Sequence, residues 1–398
     1  MMKIFAEGKS FKRPFGLDII LLIHGSYILF RIYQNDMAHF HLWTNSYLIP
    51  YAVYFMAKNI VIDTKMIRLV FKLLLALSIY YNITSIAEKF EIGALLWPKY
   101  MLLEDTVFRG RSCGPFRQAP LFGTVIGMLL PIHLYFIAET RQFVVRMLLF
   151  LSLGLGFAGL YFTYTRGSWL VGIVALGTAI VLNRRQYFKP IAPLLIIVPL
   201  LAILVLGIGQ DEFMKERVEN DNTLDARIGT LATAVRVWKA NPLFGVGFFQ
   251  YKHERDKYIH ALDVPILGTI RFVNFRHNSI HDIYFGPLAE DGLVGAGLQF
   301  AIYFLILRTF LKKYPRRKKK DHFATLMMPV FAGMFLGYLT GGIAIDYRFF
   351  SITGTLFYMS AGILYGYSEP IRPDVKVNAL SRPRGAVTVP PGTLDQPT

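Results

Sequence analysis

His281-Asp282-Ile283-Tyr284-Phe285-Gly286-Pro287-Leu288-Ala289-Glu290-Asp291-Gly292-Leu293-Val294-Gly295 sets a histidine and carboxylates at the mouth of an apolar, glycine-containing segment long enough to span a bilayer. A charge at membrane depth costs roughly 3 kcal/mol or more, so ionisable groups there mark function. Pro287 is expected to kink the segment one turn in. Glu290 falls roughly opposite His281 on a helical wheel, which suits a structural partner of a buried hydroxyl or arginine better than a catalyst.

The chain around this segment has 398 residues, 54% hydrophobic and 15% aromatic, which points to an all-α integral membrane protein. Its net charge of +17 would suggest nucleic acid in a soluble protein. Here the basic residues lie between apolar spans, so topology explains them and no nucleic-acid partner is implied. The single cysteine, Cys113, excludes an intramolecular disulfide, a cysteine-rich zinc site and an iron–sulfur cluster. It reads as a buried small residue.

Ten apolar segments approach the ~20 residues that cross a bilayer core. They lie near 16–33, 44–62, 67–87, 119–138, 146–163, 168–183, 190–208, 283–308, 323–342 and 349–366. Lys3, Lys9, Lys12 and Arg13 precede the first, and no small-residue cleavage pattern follows it, so it reads as an uncleaved helix rather than a signal peptide. Basic residues alternate in placement. One set of connections carries Lys65 and Arg68, then Arg141 and Arg146, then Arg184, Arg185 and Lys189, then the run from Lys312 to Lys320. Residues 209–280, on the other side, balance ten Lys/Arg against nine Asp/Glu. The positive-inside rule then puts both termini in the cytoplasm. The run from Lys312 to Lys320 reads as a topology anchor, with anionic lipid headgroups as a second use. The expected organisation is a polytopic membrane domain over 1–366 and a disordered cytoplasmic tail over 367–398. Residues 209–280 form a large extracytoplasmic loop with amphipathic helices that caps the site. No internal repeat and no nucleotide-binding loop is found.

Three constellations fall on the extracytoplasmic side of this topology. Thr163-Tyr164-Thr165-Arg166-Gly167-Ser168-Trp169-Leu170 is a short turn whose arginine faces outward between hydroxyls. A guanidinium fork there suits two phosphate oxygens, or lipid headgroups if the residue only snorkels. In the loop, Leu224, Ile228, Leu231, Val235 and Trp238 recur at helical spacing until Asn241-Pro242 ends the helix. Arg227 lies at the edge of this stripe and Arg236 opposite it. If the stripe docks on the bundle, Arg227 points to the bilayer surface as an anion ligand and Arg236 to water. In Arg276-His277-Asn278-Ser279-Ile280-His281-Asp282, a helix would put His277 and His281 on one face. No third ligand accompanies them, so zinc is not implied. A neutral histidine suits general-base work on a hydroxyl. Arginines beside such a base describe a site for a phosphorylated, lipid-borne donor and a hydroxyl acceptor.

At these residues the chain resembles the bacterial O-antigen ligase/polymerase family of polytopic C-type glycosyltransferases. Thr163-Tyr164-Thr165-Arg166-Gly167 is similar to the family's hydroxyl-x-hydroxyl-Arg-Gly turn. Arg227, Trp238 and Asn241-Pro242-Leu243-Phe244-Gly245-Val246-Gly247 resemble its loop helix and closing Pro-Leu-x-Gly-x-Gly. His281-Asp282, nine residues, then Gly292-Leu293-Val294-Gly295 resembles its His-Asn and Gly-x-x-Gly, with Asp282 departing from the usual Asn, Ser or Gln. His277-Asn278 supplies the usual dipeptide one turn too early, so His277 competes with His281. Arg111-Ser112-Cys113-Gly114-Pro115-Phe116 is a weaker likeness. The resemblance implies metal-independent, cofactor-free transfer of a glycan from undecaprenyl diphosphate to an acceptor hydroxyl of a glycan or of lipid A core. The reaction would occur on the periplasmic face of the inner membrane, amid its lipids. Arg166 and Arg227 would hold the donor diphosphate, His281 or His277 would act as base, and Arg111 and Glu290 would give support. The Asp282 departure leans toward a polymerase of surface polysaccharide. A transporter or flippase of lipid-linked oligosaccharide would instead carry charges deep in several spans. A non-catalytic scaffold for envelope assembly would tolerate loss of the arginines and the histidine.

Overall fold

The computed structural model describes residues 16–32, 37–61, 63–102, 108, 110–188, 192, 222–264, 268–270, 280–318 and 321–367. Within the described residues most of the apolar runs become helices. These are α1 Gly16–Phe30, α2 Met37–Trp43, α3 Ile49–Ile60, α4 Thr64–Lys89, α5 Ala119–Glu139, α6 Phe143–Phe162 and α7 Arg166–Leu182. Then come α8 Asn222–Ala240, α9 Tyr251–Glu254, α10 Phe285–Lys318, α11 His322–Gly341 and α12 Ser351–Gly366. A π-helical turn, Thr44–Leu48, joins α2 to α3. Strands β1 Leu262–Val264 and β2 Gly268–Ile270 pair antiparallel, with Leu262 opposite Ile270, a short exception to the all-helical class.

Among the described residues five helices are long and apolar enough to cross a membrane: Thr64–Lys89, Ala119–Glu139, Phe143–Phe162, Phe285–Arg316 and His322–Gly341. Gly16–Phe30 and Arg166–Leu182 are apolar but shorter. The span expected at 190–208 lies almost wholly outside the described residues, and the tail after Tyr367 lies wholly outside them.

The basic connections meet at one end of the bundle. Arg68 pairs with Glu139 at 2.9 Å. Lys313 Nζ donates to the last carbonyls of α12, Leu364 at 2.7 Å and Tyr365 at 3.2 Å, where a cation meets the negative end of the helix dipole. Tyr314 Oη donates to Leu182 O, and Tyr367 Oη to Asp321 Oδ2.

The opposite end is organised by a break in α10. The break is not at Pro287, which occupies the first turn, where its missing N–H would have no helical partner. It is at Gly292, with φ 66° and ψ −166°. A continuous helix would bond Leu293 N to Ala289 O and Val294 N to Glu290 O. The segment Pro242–Gly247 takes up all four freed groups. Leu293 N and Val294 N donate to Pro242 O (2.9 Å) and Leu243 O (3.1 Å). Val246 N and Gly247 N donate to Ala289 O (3.1 Å) and Glu290 O (2.7 Å). Neither glycine at this contact could carry a side chain. A Cβ on Gly292 would stand 2.3 Å from Leu243 O, and one on Gly245 (φ 65°) 2.4 Å from Glu290 O. What approaches Gly292 closely is therefore the backbone of the loop.

Gly292→Val and Gly245→Val are each expected to lower the thermal midpoint of the detergent-solubilised protein by at least several degrees, from left-handed strain of about 1–3 kcal/mol plus steric overlap. Gly297→Ala, whose Cβ would meet nothing within 4 Å, should leave the midpoint almost unmoved.

Candidate active site

His281 stands just ahead of α10, between two residues that fix it. Ile280 is buried in a small core with Ala234, Val237, Tyr251 and Ala289. Asp282 caps the helix, its Oδ1 accepting from Tyr284 N at 2.8 Å and also from Phe285 N. Asn caps helices about as well as Asp, so the departure at 282 keeps a backbone function and says nothing about the reaction. The lean toward a polymerase loses its ground. Residues 280–284 are not helical, so the shared helical face expected for His277 and His281 does not extend to His281; His277 itself lies outside the described residues.

The His281 side chain is exposed, but the surrounding protein displaces much of its hydration. This loss of solvent, and then the Arg227 guanidinium, hold its pKa below the usual imidazole range, while Asp346 pulls the other way. The ring is therefore neutral at pH 7, with a nitrogen free to accept a proton. Burial raises the Asp282 carboxyl, against the pull of its backbone hydrogen bonds.

Arg227 reaches this place by a different packing from the one its helix pattern suggests. The buried face of α8 is Thr230, Thr233, Ala234 and Val237, while the stripe Ile228, Leu231, Val235 and Trp238 is only half-buried. Small side chains let α8 approach α10 closely, and Thr230 and Thr233 turn their hydroxyls back to the carbonyls of Ala226 and Gly229. Arg227 lies between the packed face and the stripe and is exposed. Arg236 is half-buried. Its Nη1 donates to Tyr258 O (3.3 Å) and His260 O (3.1 Å).

Arg166 is the first residue of α7 and is exposed. The hydroxyls flanking it serve the turn: Thr163 Oγ1 donates to Leu160 O at 2.7 Å and Thr165 Oγ1 to Thr163 O at 3.0 Å. Tyr164 between them takes a positive φ of 46°. Arg111 crosses from the preceding loop, its Nε donating to Thr163 O at 3.0 Å and its Nη2 to Thr165 Oγ1. One short loop, residues 342–346, borders both halves of the site. Gly167 faces Ala344 so closely that a Cβ would stand 3.0 Å from the alanine methyl. Ile283 N donates to Gly342 O at 2.8 Å.

That loop leads to a group of charges absent from the sequence reading. Arg348 is buried, with Nε 3.0 Å from Asp346 Oδ1, Nη2 2.7 Å from Asp346 Oδ2, and Nη1 2.7 Å from Glu290 Oε2. Glu290 Oε1 also accepts from Tyr251 N at 3.3 Å. Glu290 thus has the arginine partner expected of it. Asp291 is buried with Arg348 Nη1 at 3.7 Å. Gly286 lies against Arg348 Nη2, so the guanidinium sits beneath the first turn of α10. A signal was available, since Asp346 and Arg348 are the only charges in residues 323–366 and two acids on an apolar helix need a cation.

Cys113 is buried. Among the described residues no group of three or more His, Cys, Asp or Glu could hold a metal ion.

No curated protein matches the chain. A family model described as O-antigen ligase matches residues 147–300, from within α6 to within α10, and the matched stretch holds Arg166, Arg227, His281, the Pro242–Gly247 segment and the Gly292 break. Over that stretch the chain is similar to the O-antigen ligase family, and the helices around it are those of a membrane protein.

Proposed function

We propose that the protein is a membrane glycosyltransferase of surface polysaccharide biosynthesis (O-antigen, capsule or exopolysaccharide). It transfers a glycan from undecaprenyl diphosphate to an acceptor hydroxyl, as polymerase or ligase. The observation that carries this reading is a neutral His281 under the influence of Arg227, with Arg166 bordering the same loop. His281 takes the proton of the acceptor hydroxyl as its oxygen attacks the anomeric carbon. The glycosyl–phosphate bond breaks, and Arg166 and Arg227 offset the charge growing on the departing diphosphate. Arg111 holds the turn that presents Arg166. No metal or cofactor enters this scheme, and the acceptor is a glycan or the lipid A core.

The orientation follows from charge. With the basic end in the cytoplasm, the site opens to the periplasm at the surface of the inner membrane, and about ten spans place both termini in the cytoplasm. A broken helix is also what a permease would carry. Here Leu293 N, Val294 N, Ala289 O and Glu290 O are bonded to Pro242–Gly247 rather than open to cargo, which favours the enzyme.

A glycolipid profile of a deletion strain tests the function. Loss of chain length with one repeat still attached identifies a polymerase, accumulated lipid-linked polymer with bare core identifies a ligase, and an unchanged profile rejects both. Arg166→Ala, Arg227→Ala and His281→Ala should each cut transfer by about a hundredfold or more with the protein still in the membrane fraction. Normal gel banding in all three would reject catalysis at these residues. The pH profile has a definite sign. Because His281 titrates below the usual imidazole range, kcat/KM should hold through neutral pH and fall only as acidification protonates the ring. Removing the neighbouring cation raises the ring's pKa, so the residual turnover of Arg227→Gln should lose activity at a higher pH than wild type.

A further inference from the structure

Residues 90–102 follow α4 directly and are strongly apolar on their outside. Phe90 is 62% exposed, Leu95 54%, Trp97 70% and Leu102 54%, and Ile92 and Tyr100 are exposed as well. A loop in water does not gather six such side chains in thirteen positions.

The segment is nonetheless built in place. Leu96 and Met101 are buried against Ala87 near the end of α4. Tyr80 Oη donates to Trp97 O, and Lys99 Nζ donates to Gly93 O at 3.0 Å. Tyr100 Oη donates to Pro115 O at 2.7 Å. Glu88 Oε2 accepts from Cys113 N (2.9 Å) and Gly114 N (2.8 Å), which fastens the next turn to the same helix end. The outward side chains are therefore held outward by a fixed backbone.

We propose that residues 90–102 form a platform lying in the headgroup region of the leaflet at the site's end, with phospholipid as the occupant of its apolar face. Three observations select lipid. Helix α4 has the length and apolarity of a membrane span, and its last residue, Lys89, adjoins the platform, so the platform sits at the depth where the span leaves hydrocarbon. The outer face of α4 is itself apolar and exposed at Leu69, Leu73 and Ile83, and the platform continues that surface. Trp97 and Tyr100 are the amphipathic rings that concentrate at membrane interfaces, and Lys99 is exposed among them for phosphate. The Tyr100–Pro115 bond joins the platform to the turn carrying Arg111, which buttresses Thr163 and Thr165 ahead of Arg166. The platform thereby sets the height of Arg166 above the lipid. The inference rests on the chain lying in a bilayer and not on glycosyl transfer, so the two can fail separately.

The test is site-directed spin labelling of the full chain in vesicles of phosphatidylethanolamine and phosphatidylglycerol. Cys113→Ser removes the one native thiol, and single cysteines replace Leu95, Trp97 or Leu102, with His260→Cys as a reference in the exposed loop. Labels on the platform are expected to collide with oxygen several-fold more, relative to a polar nickel chelate, than the His260 label does. Nickel accessibility equal to the reference would overturn the proposal, because the segment would then lie in water. Shielding from both reagents would also overturn it, in favour of a protein partner or a second copy. If Cys113→Ser does not fold, the native-cysteine protein is reconstituted with lipids brominated near the headgroup. Trp97→Phe should then remove the largest share of tryptophan quenching, and quenching unaltered by that change would reject the platform.

Discussion

Four backbone hydrogen bonds between Pro242–Gly247 and the break in α10 hold the end of the protein that carries the candidate site in register. A helix opened inside an apolar bundle strands donors and acceptors, each at a cost of about 1–3 kcal/mol when left unpaired. The loop supplies the mirror set, so the break becomes a socket. Two glycines make it possible, one on each side, because the chains meet backbone to backbone. Helix α1 locks the joint from outside: Tyr27 Oη donates to Asp291 O at 2.7 Å, and Arg31 Nη2 donates to Phe244 O and Gly245 O. Since α8 leads straight into this loop and His281 straight into α10, the joint sets where Arg227 and the imidazole can meet.

Beneath it, Arg348 performs the electrostatic counterpart. Burying a guanidinium is tolerable only when its donors are matched, and Asp346 and Glu290 match them in fork geometry. Glu290 belongs to the helix that His281 precedes, and Asp346 to the loop that bonds Ile283. The ion cluster thus ties the floor of the site to the same two elements as the backbone joint. Removing one partner would strand a buried charge rather than merely lose a contact.

The helices were legible because long apolar runs admit few alternatives in a bilayer. Arg166, Arg227 and His281 stand out as candidates in the sequence because arginine and histidine at the ends of apolar segments have few structural uses. What could not be read was how elements face one another. Helix α8 packs by its small residues, since closeness to α10 outweighs the hydrophobicity of Leu231 or Trp238. Pro287 is the better-known helix breaker, but the first turn tolerates it, and the break belongs to Gly292, whose φ no side chain favours. Arg348 was not legible because Glu290 and Asp291 lie in another segment, and the three-residue Asp-x-Arg it forms with Asp346 has no periodicity to betray it. Asp282 misled in the opposite direction, drawing attention to chemistry where the helix needed only a cap.

The placement of Arg227 gives it two effects that act in sequence. In the empty site its charge opposes protonation of His281, which keeps the ring neutral but a weaker base. In the proposed reaction the donor's diphosphate neutralises that same guanidinium. The repulsion on the imidazole then falls, while Asp346 continues to favour the imidazolium. Donor binding would therefore strengthen the base at the moment an acceptor hydroxyl has something to attack. An arginine set apart from the histidine could hold the diphosphate equally well, but it could not report to the base that the diphosphate had arrived.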